Sequence, residues 1–197
     1  LAKEACYLEI EMMQQPIGIQ DQYAVAYGGF NRYRFNRNSK VGVEPVICDI
    51  NTLCRLQNNL MLFFTGITRN SGTVLGEQKT NINQKINELD TLVQSVDSAY
   101  KNLADGRLDA WGYALDFVWQ TKKKLANKIS NTEIDEMYKK AIKAGALGGK
   151  ILGAGGGGFL LVYAPTETQK AIEDALEGYR RVKFSFEPQG SRIIFSD

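Results

Sequence analysis

The run Lys150-Ile-Leu-Gly-Ala-Gly-Gly-Gly-Gly-Phe159 carries the strongest chemical signal in the chain. Gly155, Gly156, Gly157 and Gly158 lead directly into an apolar stretch, Phe159 to Tyr163. Gly148, Gly149 and Gly153 bring the total to seven glycines in eleven positions. Glycine loses the most conformational freedom on folding and gives a core nothing to pack. A sequence that concentrates it here therefore needs bare backbone. Bare backbone lets another group come very close, and successive free N–H groups can form a nest for an anion such as phosphate. A flexible turn between strands is the alternative. Flexible linkers, however, are rich in serine and polar residues, whereas this run is fused to a strand-like segment. The pattern predicts a shaped loop.

Composition removes several other chemistries. The 197 residues contain no histidine, which excludes a His–Cys zinc site and a Ser–His–Asp triad within the chain. Cys6, Cys48 and Cys54 are odd in number and lack metal-ligand spacing, so reduced thiols and no metal site are expected. A net charge of +2 gives no electrostatic footprint for nucleic acid. The one basic run, Lys122-Lys123-Lys124, reads as the solvated face of a helix. No apolar run approaches the ~20 residues needed to span a membrane as a helix. A hydrophobic content of 44% suffices for one good core, or one and part of another.

The elements that must position the glycine loop follow from periodicity. Residues 2–13 read as helix, broken by Pro16 and Gly18, and a short helix follows from about Ile19 to Ala26. Asp21 falls in its first turn, where the positive end of the helix dipole favours a carboxylate. Capping that helix is the plain alternative role for Asp21. Two strands are expected near Phe30 to Phe35 and Gly42 to Cys48, with Asn36 to Lys40 as a hairpin loop. Leu60 to Phe64 has strand length and is wholly apolar. Ile82, Ile86, Leu89, Leu92, Val93, Val96, Tyr100 and Leu103 recur at steps of three and four, marking one apolar helix face. A second helix is expected over roughly Arg107 to Lys128, with Leu108, Trp111, Leu115, Val118 and Trp119 inward. A third begins at a capping box, Ser130-Asn-Thr-Glu133. After the strand Gly158 to Tyr163, Thr166-Glu-Thr-Gln169 predicts another capping box and a helix to about Tyr179. Val182, Phe184 and Phe186 alternate as a strand, and Arg192 to Phe195 is read as a last one. Strands interleaved with helices give an α+β class, with helices on one face of a largely antiparallel sheet.

Three stretches also resemble one family. Gly148-Gly-Lys-Ile-Leu-Gly-Ala-Gly-Gly-Gly-Gly-Phe159 is similar to the C-terminal glycine motif of the GHMP small-molecule kinases. Pro16-Ile-Gly-Ile-Gln-Asp-Gln-Tyr-Ala24, followed by Gly28-Gly29-Phe30-Asn31, resembles the segment bearing the catalytic aspartate in their sugar-kinase branch. Phe64-Thr-Gly-Ile-Thr-Arg69 resembles a strand-end element of that branch. The three occur in family order across nearly the whole chain. Within the family, these stretches and Phe184-Ser-Phe-Glu-Pro-Gln-Gly-Ser-Arg192 resemble the bacterial heptose kinases, which phosphorylate the anomeric hydroxyl of D-glycero-D-manno-heptose 7-phosphate. Galactokinase-like or fucokinase-like activity, or a non-catalytic binding module of the same fold, are the rival readings.

The resemblance implies an ATP- and Mg2+-dependent cytoplasmic enzyme, and a ferredoxin-like C-terminal domain over residues 56–197. It implies that residues 1–55 belong to the N-terminal kinase domain. The family's main nucleotide loop, of Pro-x-x-x-Gly-Leu-x-Ser-Ser type, does not occur in these residues. The opening Leu-Ala-Lys-Glu-Ala-Cys reads as the middle of a helix. The chain is therefore expected to be a C-terminal part, inactive alone, with the other half of the same enzyme as partner and a sugar or sugar phosphate as substrate. By the same resemblance Asp21 is the catalytic carboxylate and Gly18 sits beside the sugar. Arg69 is a candidate for an anionic group of the substrate, because guanidinium makes bidentate contacts with phosphate. Arg192 and Lys150 are weaker candidates. Gly153, Ala154, Gly155, Gly156, Gly157 and Gly158 would pack against the nucleotide loop and help close the site.

Overall fold

A computed structural model describes residues 1–68 and 71–195. They form two compact units: residues 1–47 with the described chain from Ser185 onward, and Cys48–Phe184.

In the first unit, helix α1 (Ala2–Cys6) runs into a π-helical turn, Tyr7–Met12. The wider winding shows in the bond from Met13 N–H to the Leu8 carbonyl at 2.9 Å. Helix α2 (Gln20–Tyr27) follows the break at Pro16 and Gly18, and the antiparallel hairpin of β1 (Asn31–Phe35) and β2 (Val41–Pro45) comes next. The Asn36–Lys40 loop closes on itself through Asn36 N–H to the Lys40 carbonyl, 3.0 Å, as turn residues of this kind should. The returning segment crosses the end of α2 with almost no clearance. A Cβ on Gly28 would lie 2.2 Å from the Gly190 nitrogen, and one on Gly190 would lie 2.2 Å from the Ala26 carbonyl oxygen. Phe186 packs on Phe30, ring centroids 5.6 Å apart.

The second unit begins with α3 (Ile50–Asn58), capped by the Asp49 carboxylate accepting from Asn51 N–H, and β3 (Leu60–Phe64). Helices α4 (Ser71–Asn81), α5 (Ile86–Ala104), α6 (Leu108–Lys123) and α7 (Thr132–Lys143) intervene before β4 (Gly148–Ile151) and β5 (Phe159–Tyr163). Helix α8 (Gln169–Ala175) and β6 (Arg180–Val182) complete it. The sheet runs β4-β5-β3-β6, every neighbour antiparallel. With helices between β3 and β4 and between β5 and β6, this is the split β-α-β arrangement of ferredoxin-like folds. The α+β expectation holds.

Register explains the core. Met61 pairs with Val162 and Phe63 with Leu160, which pairs in turn with Ile151. These five share one sheet face and are all buried, in one cluster with Trp119, Ile134, Met137 and Ile172. Fully burying a side chain of this kind contributes about 1.5–3 kcal/mol. Trp119 is thus core, as its spacing suggested, and Trp111 meets the Tyr163 ring edge-on at 6.0 Å. Tyr163 itself is buried. Its hydroxyl donates to Asp109 at 3.0 Å and accepts from Asn59 at 2.8 Å. No helix among the described residues is long and apolar enough to cross a membrane.

Several expectations are corrected. The α7 cap is Asn131, whose Oδ1 accepts from Ile134 N–H at 3.0 Å; the Ser130 hydroxyl instead donates to Asp135 at 2.9 Å. The box at Thr166 does not form. A 3₁₀ turn, Thr166–Thr168, comes first, with both the N–H and hydroxyl of Thr168 on the Pro165 carbonyl at 2.9 Å. The last alternating strand ends at Val182, because β6 pairs only with Leu62 to Phe64. Phe184 and Phe186 lie beyond it. Residues 192–195 form no strand, and Ile193, Ile194 and Phe195 are exposed. The apolar stripe of α5 is only partly covered: Leu103 is buried and Leu89 and Leu92 pack on the core, but Ile86, Val93 and Val96 face out. Gly148 and Gly149, grouped by sequence with the loop, instead form strand β4.

The β4 glycines are there for close packing. A Cβ on Gly148 would lie 2.1 Å from the Gly112 carbonyl oxygen on α6, and one on Gly112 would lie 2.4 Å from the Tyr163 ring. Gly148→Ala, which presses on backbone, should lower the unfolding free energy by about 1–3 kcal/mol or more in denaturant titration. Gly76→Ala provides the contrast. Gly76 lies within α4 with nothing inside 4 Å, so alanine there should stabilise by roughly 0.5–1 kcal/mol. A second expectation concerns alkaline pH. Burial, more than the Asp109 contact, pushes the Tyr163 hydroxyl up to about 12 from 10.0. The folded state holds this proton more tightly than the unfolded chain does. The associated stability is complete below pH 10 and lost as pH rises towards 12, a fall that Tyr163→Phe should flatten.

Candidate functional site

Asp21 lies in the first turn of α2, exposed, two residues after Ile19, which occupies the cap position without a side-chain hydrogen bond. Asp21 is therefore not the residue that caps its helix. It lines a cavity of about 260 Å3 together with Glu9, Ile17, Gln22, Val25 and Ser191. Gly18 is exposed in the connector before α2. A Cβ there would meet only the far end of the flexible Gln20 side chain, so the local backbone does not require glycine at this position. Gln22, which the quoted motif contains but to which no role was given, is buried. Its Nε2 donates to Glu9 Oε2 at 2.6 Å, a contact from the π-helical turn to α2 that no short-range pattern announces.

The glycine loop of the second unit is docked on its own protein. Gly156 N–H donates to the Ile129 carbonyl at 2.5 Å, and Gly158 N–H donates to the Ile67 carbonyl at 2.9 Å. The Gly158 carbonyl accepts from both the N–H and the hydroxyl of Thr65, each at 2.9 Å. Gly155, Gly156 and Gly157 are buried. A Cβ on Gly155 would stand 2.6 Å from the Ile129 oxygen, and one on Gly157 would stand 2.7 Å from the Ile67 oxygen. The anion-nest expectation is corrected to this extent: the N–H groups of Gly156 and Gly158 point to protein carbonyls. Bare backbone is needed here because carbonyls approach the loop from both sides.

Side chains from three helices fasten the rest of the loop. Lys122 at the end of α6 reaches the Gly153 carbonyl at 2.6 Å, and Gln78 of α4 reaches that of Ala154 at 3.3 Å. The Asn131 amide of α7 contacts the Gly156 carbonyl at 3.4 Å. The lysine run is accordingly more than a solvated face, for Lys123 pairs with Asp135 at 3.2 Å and stands 5.8 Å from the centre of the Trp119 ring. Thr65 lay inside the quoted strand-end motif, but its hydroxyl role depends on a loop 93 residues away.

The remaining candidates are placed as follows. Arg69 lies outside the described residues. Lys150 is in strand β4. Arg192 is exposed and hydrogen-bonds Gln189. Among the described residues no group of three or more His, Cys, Asp or Glu could hold a metal. A Mg2+ ion bound mainly through substrate phosphates would need only one or two carboxylates.

Comparison with known proteins agrees with this architecture. Residues 99–181 match the family model described as GHMP kinases C terminal. The chain is 30% identical over 194 residues to the D-glycero-alpha-D-manno-heptose 7-phosphate kinase of Campylobacter jejuni, covering 96% of this chain and 57% of that protein. It is 26% identical over 170 residues to the bifunctional fucokinase/GDP-fucose pyrophosphorylase of Arabidopsis thaliana, covering 81% of this chain and 16% of that protein. Among solved structures, a D-glycero-D-manno-heptose 1-phosphate kinase from Bacteroides thetaiotaomicron has a TM-score of 0.69 at 24% identity, covering 99% of this chain and 55% of that one. The chain spans little more than half the length of these heptose kinases. Its residues 99–181 carry a GHMP kinase C-terminal domain.

Proposed function

We propose that the chain is part of an ATP-dependent sugar kinase that phosphorylates the anomeric hydroxyl of D-glycero-D-manno-heptose 7-phosphate. The observation that carries the reading is the similarity to a heptose 7-phosphate kinase over 194 residues, which includes both the Asp21 segment and the glycine loop. Phosphoryl transfer to a hydroxyl needs positioning, charge neutralisation and a proton acceptor. In this reading Asp21 accepts the hydroxyl proton, from the edge of a cavity able to admit part of a sugar. Gly18 gives the sugar close access to the backbone, and Arg69 holds the remote phosphate. ATP supplies the phosphoryl group, accompanied by Mg2+ on its phosphates.

Residues 1–55 are taken as the portion belonging to the N-terminal kinase domain, and residues 56–197 as the C-terminal domain. The length of the heptose kinase not spanned by this chain is where the reading places the main nucleotide loop. Gly153, Ala154, Gly155, Gly156, Gly157 and Gly158, held by the Ile67 and Ile129 carbonyls, offer that loop a fixed surface to close against. Free thiols at Cys6, Cys48 and Cys54 and a phosphorylated substrate suit a cytoplasmic setting. The fucokinase likeness keeps a second sugar kinase activity as the rival.

Three measurements on the whole kinase test the reading. Asp21→Asn keeps the shape and removes the acceptor, so kcat should fall by on the order of 10²-fold or more with sugar binding little changed. A kcat within about threefold of wild type would remove Asp21 from the chemistry. Arg69→Ala should raise KM for the heptose 7-phosphate by roughly 10- to 150-fold and leave the unphosphorylated heptose nearly unaffected. Equal losses on both sugars would contradict a phosphate-binding role. Gly157→Ala should reduce turnover in proportion to the loop's displacement, with the melting temperature falling as well, because its Cβ would strike the Ile67 carbonyl.

A further inference from the structure

The turn Thr65-Gly66-Ile67 follows β3 directly and meets the end of the glycine loop. Thr65 is 2% exposed, and its hydroxyl makes two bonds there. It donates to the Gly158 carbonyl at 2.9 Å and accepts from the Ile67 N–H at 3.2 Å. The Ile67 carbonyl in turn accepts from the Gly158 N–H at 2.9 Å, so one turn holds both polar groups of Gly158. The turn is itself anchored, because Ile67 packs on the core. Gly66 has a φ of +78°, with nothing within 4 Å of where a Cβ would lie. Glycine is needed there for backbone direction and not for space.

Four consecutive glycines have no side chains with which to hold a position, so the groups that reach them decide where the loop stands. Lys122 and Gln78 reach it on long side chains with many rotamers, and the Asn131 amide is further off, at 3.4 Å. Thr65 is short, buried and stiff at χ1. We propose that Thr65 is a positioning residue for phosphoryl transfer, its hydroxyl fixing where the glycine loop stands for the nucleotide side of the site. Distance singles out the hydroxyl. Its oxygen stands 2.9 Å from the Gly158 oxygen, whereas a carbon approaches a carbonyl oxygen only to about 3.3–3.6 Å. A methyl group in its place would push the end of the loop away by about 0.4 Å or more, and would leave the Ile67 N–H without its acceptor. This inference rests on the kinase reading and deepens it, because it gives a role in turnover to a residue that the family likeness left without one.

The test uses the whole kinase, ATP and D-glycero-D-manno-heptose 7-phosphate. Thr65→Val puts a methyl where the hydroxyl was. Its kcat/KM for ATP at saturating sugar should fall by roughly 10- to 100-fold, the scale of a misplacement of 1 Å or less. Thr65→Ser keeps the hydroxyl and should stay within about threefold of wild type, although the lost methyl lowers its melting temperature. Thr65→Ala differs from Thr65→Ser by that one oxygen and carries the comparison if Thr65→Val does not fold; it should fall below Thr65→Ser by roughly 5- to 10-fold. Hydrogen exchange supplies a readout that needs no turnover. The Gly158 amide should exchange faster in Thr65→Val and Thr65→Ala than in Thr65→Ser, measured against the amide of Leu160. Equal kcat/KM in the variants with and without the hydroxyl overturns the proposal. So does a melting temperature lowered in all of them with kcat/KM unmoved, which would leave Thr65 a purely structural residue. Wild-type enzyme that does not phosphorylate the heptose overturns the kinase reading, and this proposal with it, whatever the exchange shows.

Discussion

The Gly112 carbonyl oxygen of α6 occupies the space where a Cβ of Gly148 would be, and much of the second unit follows from that contact. Helix and strand can approach this closely only if neither side carries a side chain at the crossing. The approach brings Gly112 against the Tyr163 ring, places Trp111 edge-on to it, and lets Asp109 and Asn59 satisfy its buried hydroxyl. The same device recurs at the glycine loop, where Gly155 and Gly157 admit the Ile129 and Ile67 carbonyls. In the first unit it recurs where Gly28 and Gly190 cross. Backbone pressed on backbone leaves little room for adjustment, because a carbonyl cannot swing aside as a side-chain tip can.

A loop fastened in this way is a surface more than a cradle. Two of its N–H groups are directed inward, and its carbonyls at Gly153, Ala154, Gly156 and Gly158 are held by Lys122, Gln78, Asn131 and Thr65. Rigidity suits a site whose chemistry depends on positioning, since preorganised groups need no rearrangement as charge develops. In the first unit a cavity of about 260 Å3 lies beside Asp21. Its lining is mostly apolar, with Glu9, Asp21, Gln22 and Ser191 as its polar side chains.

What could be read from sequence follows the range of the interaction. Leu60 to Phe64 and Phe159 to Tyr163 were legible as strands because an apolar run of that length needs no partner to be recognised. Asp21 was placed correctly in the first turn of its helix because Pro16 and Gly18 mark the break before it. The caps failed where two local solutions competed: Asn131 and Ser130 both offer an oxygen, and Asp135 draws off the serine hydroxyl. The strand at Phe184 and Phe186 failed because alternation reports only that a segment could pair, whereas β3 offers β6 just three residues. The exposed Val93 and Val96 show the same limit, since periodicity defines an apolar face without saying how much of it is covered. Gln22 and Thr65 lie inside quoted motifs, but their contacts were not legible because the partners lie 13 and 93 residues away.

The central claim is that the whole enzyme moves a phosphoryl group from ATP to the anomeric oxygen of a heptose 7-phosphate. Phosphorus NMR of the reaction mixture tests it directly. The account predicts a second sugar-phosphate signal that grows with ADP and is coupled to the anomeric proton, and no such signal with free galactose or fucose. ATP left unchanged in the presence of the heptose, or a new phosphate on fucose or galactose in its place, would contradict it.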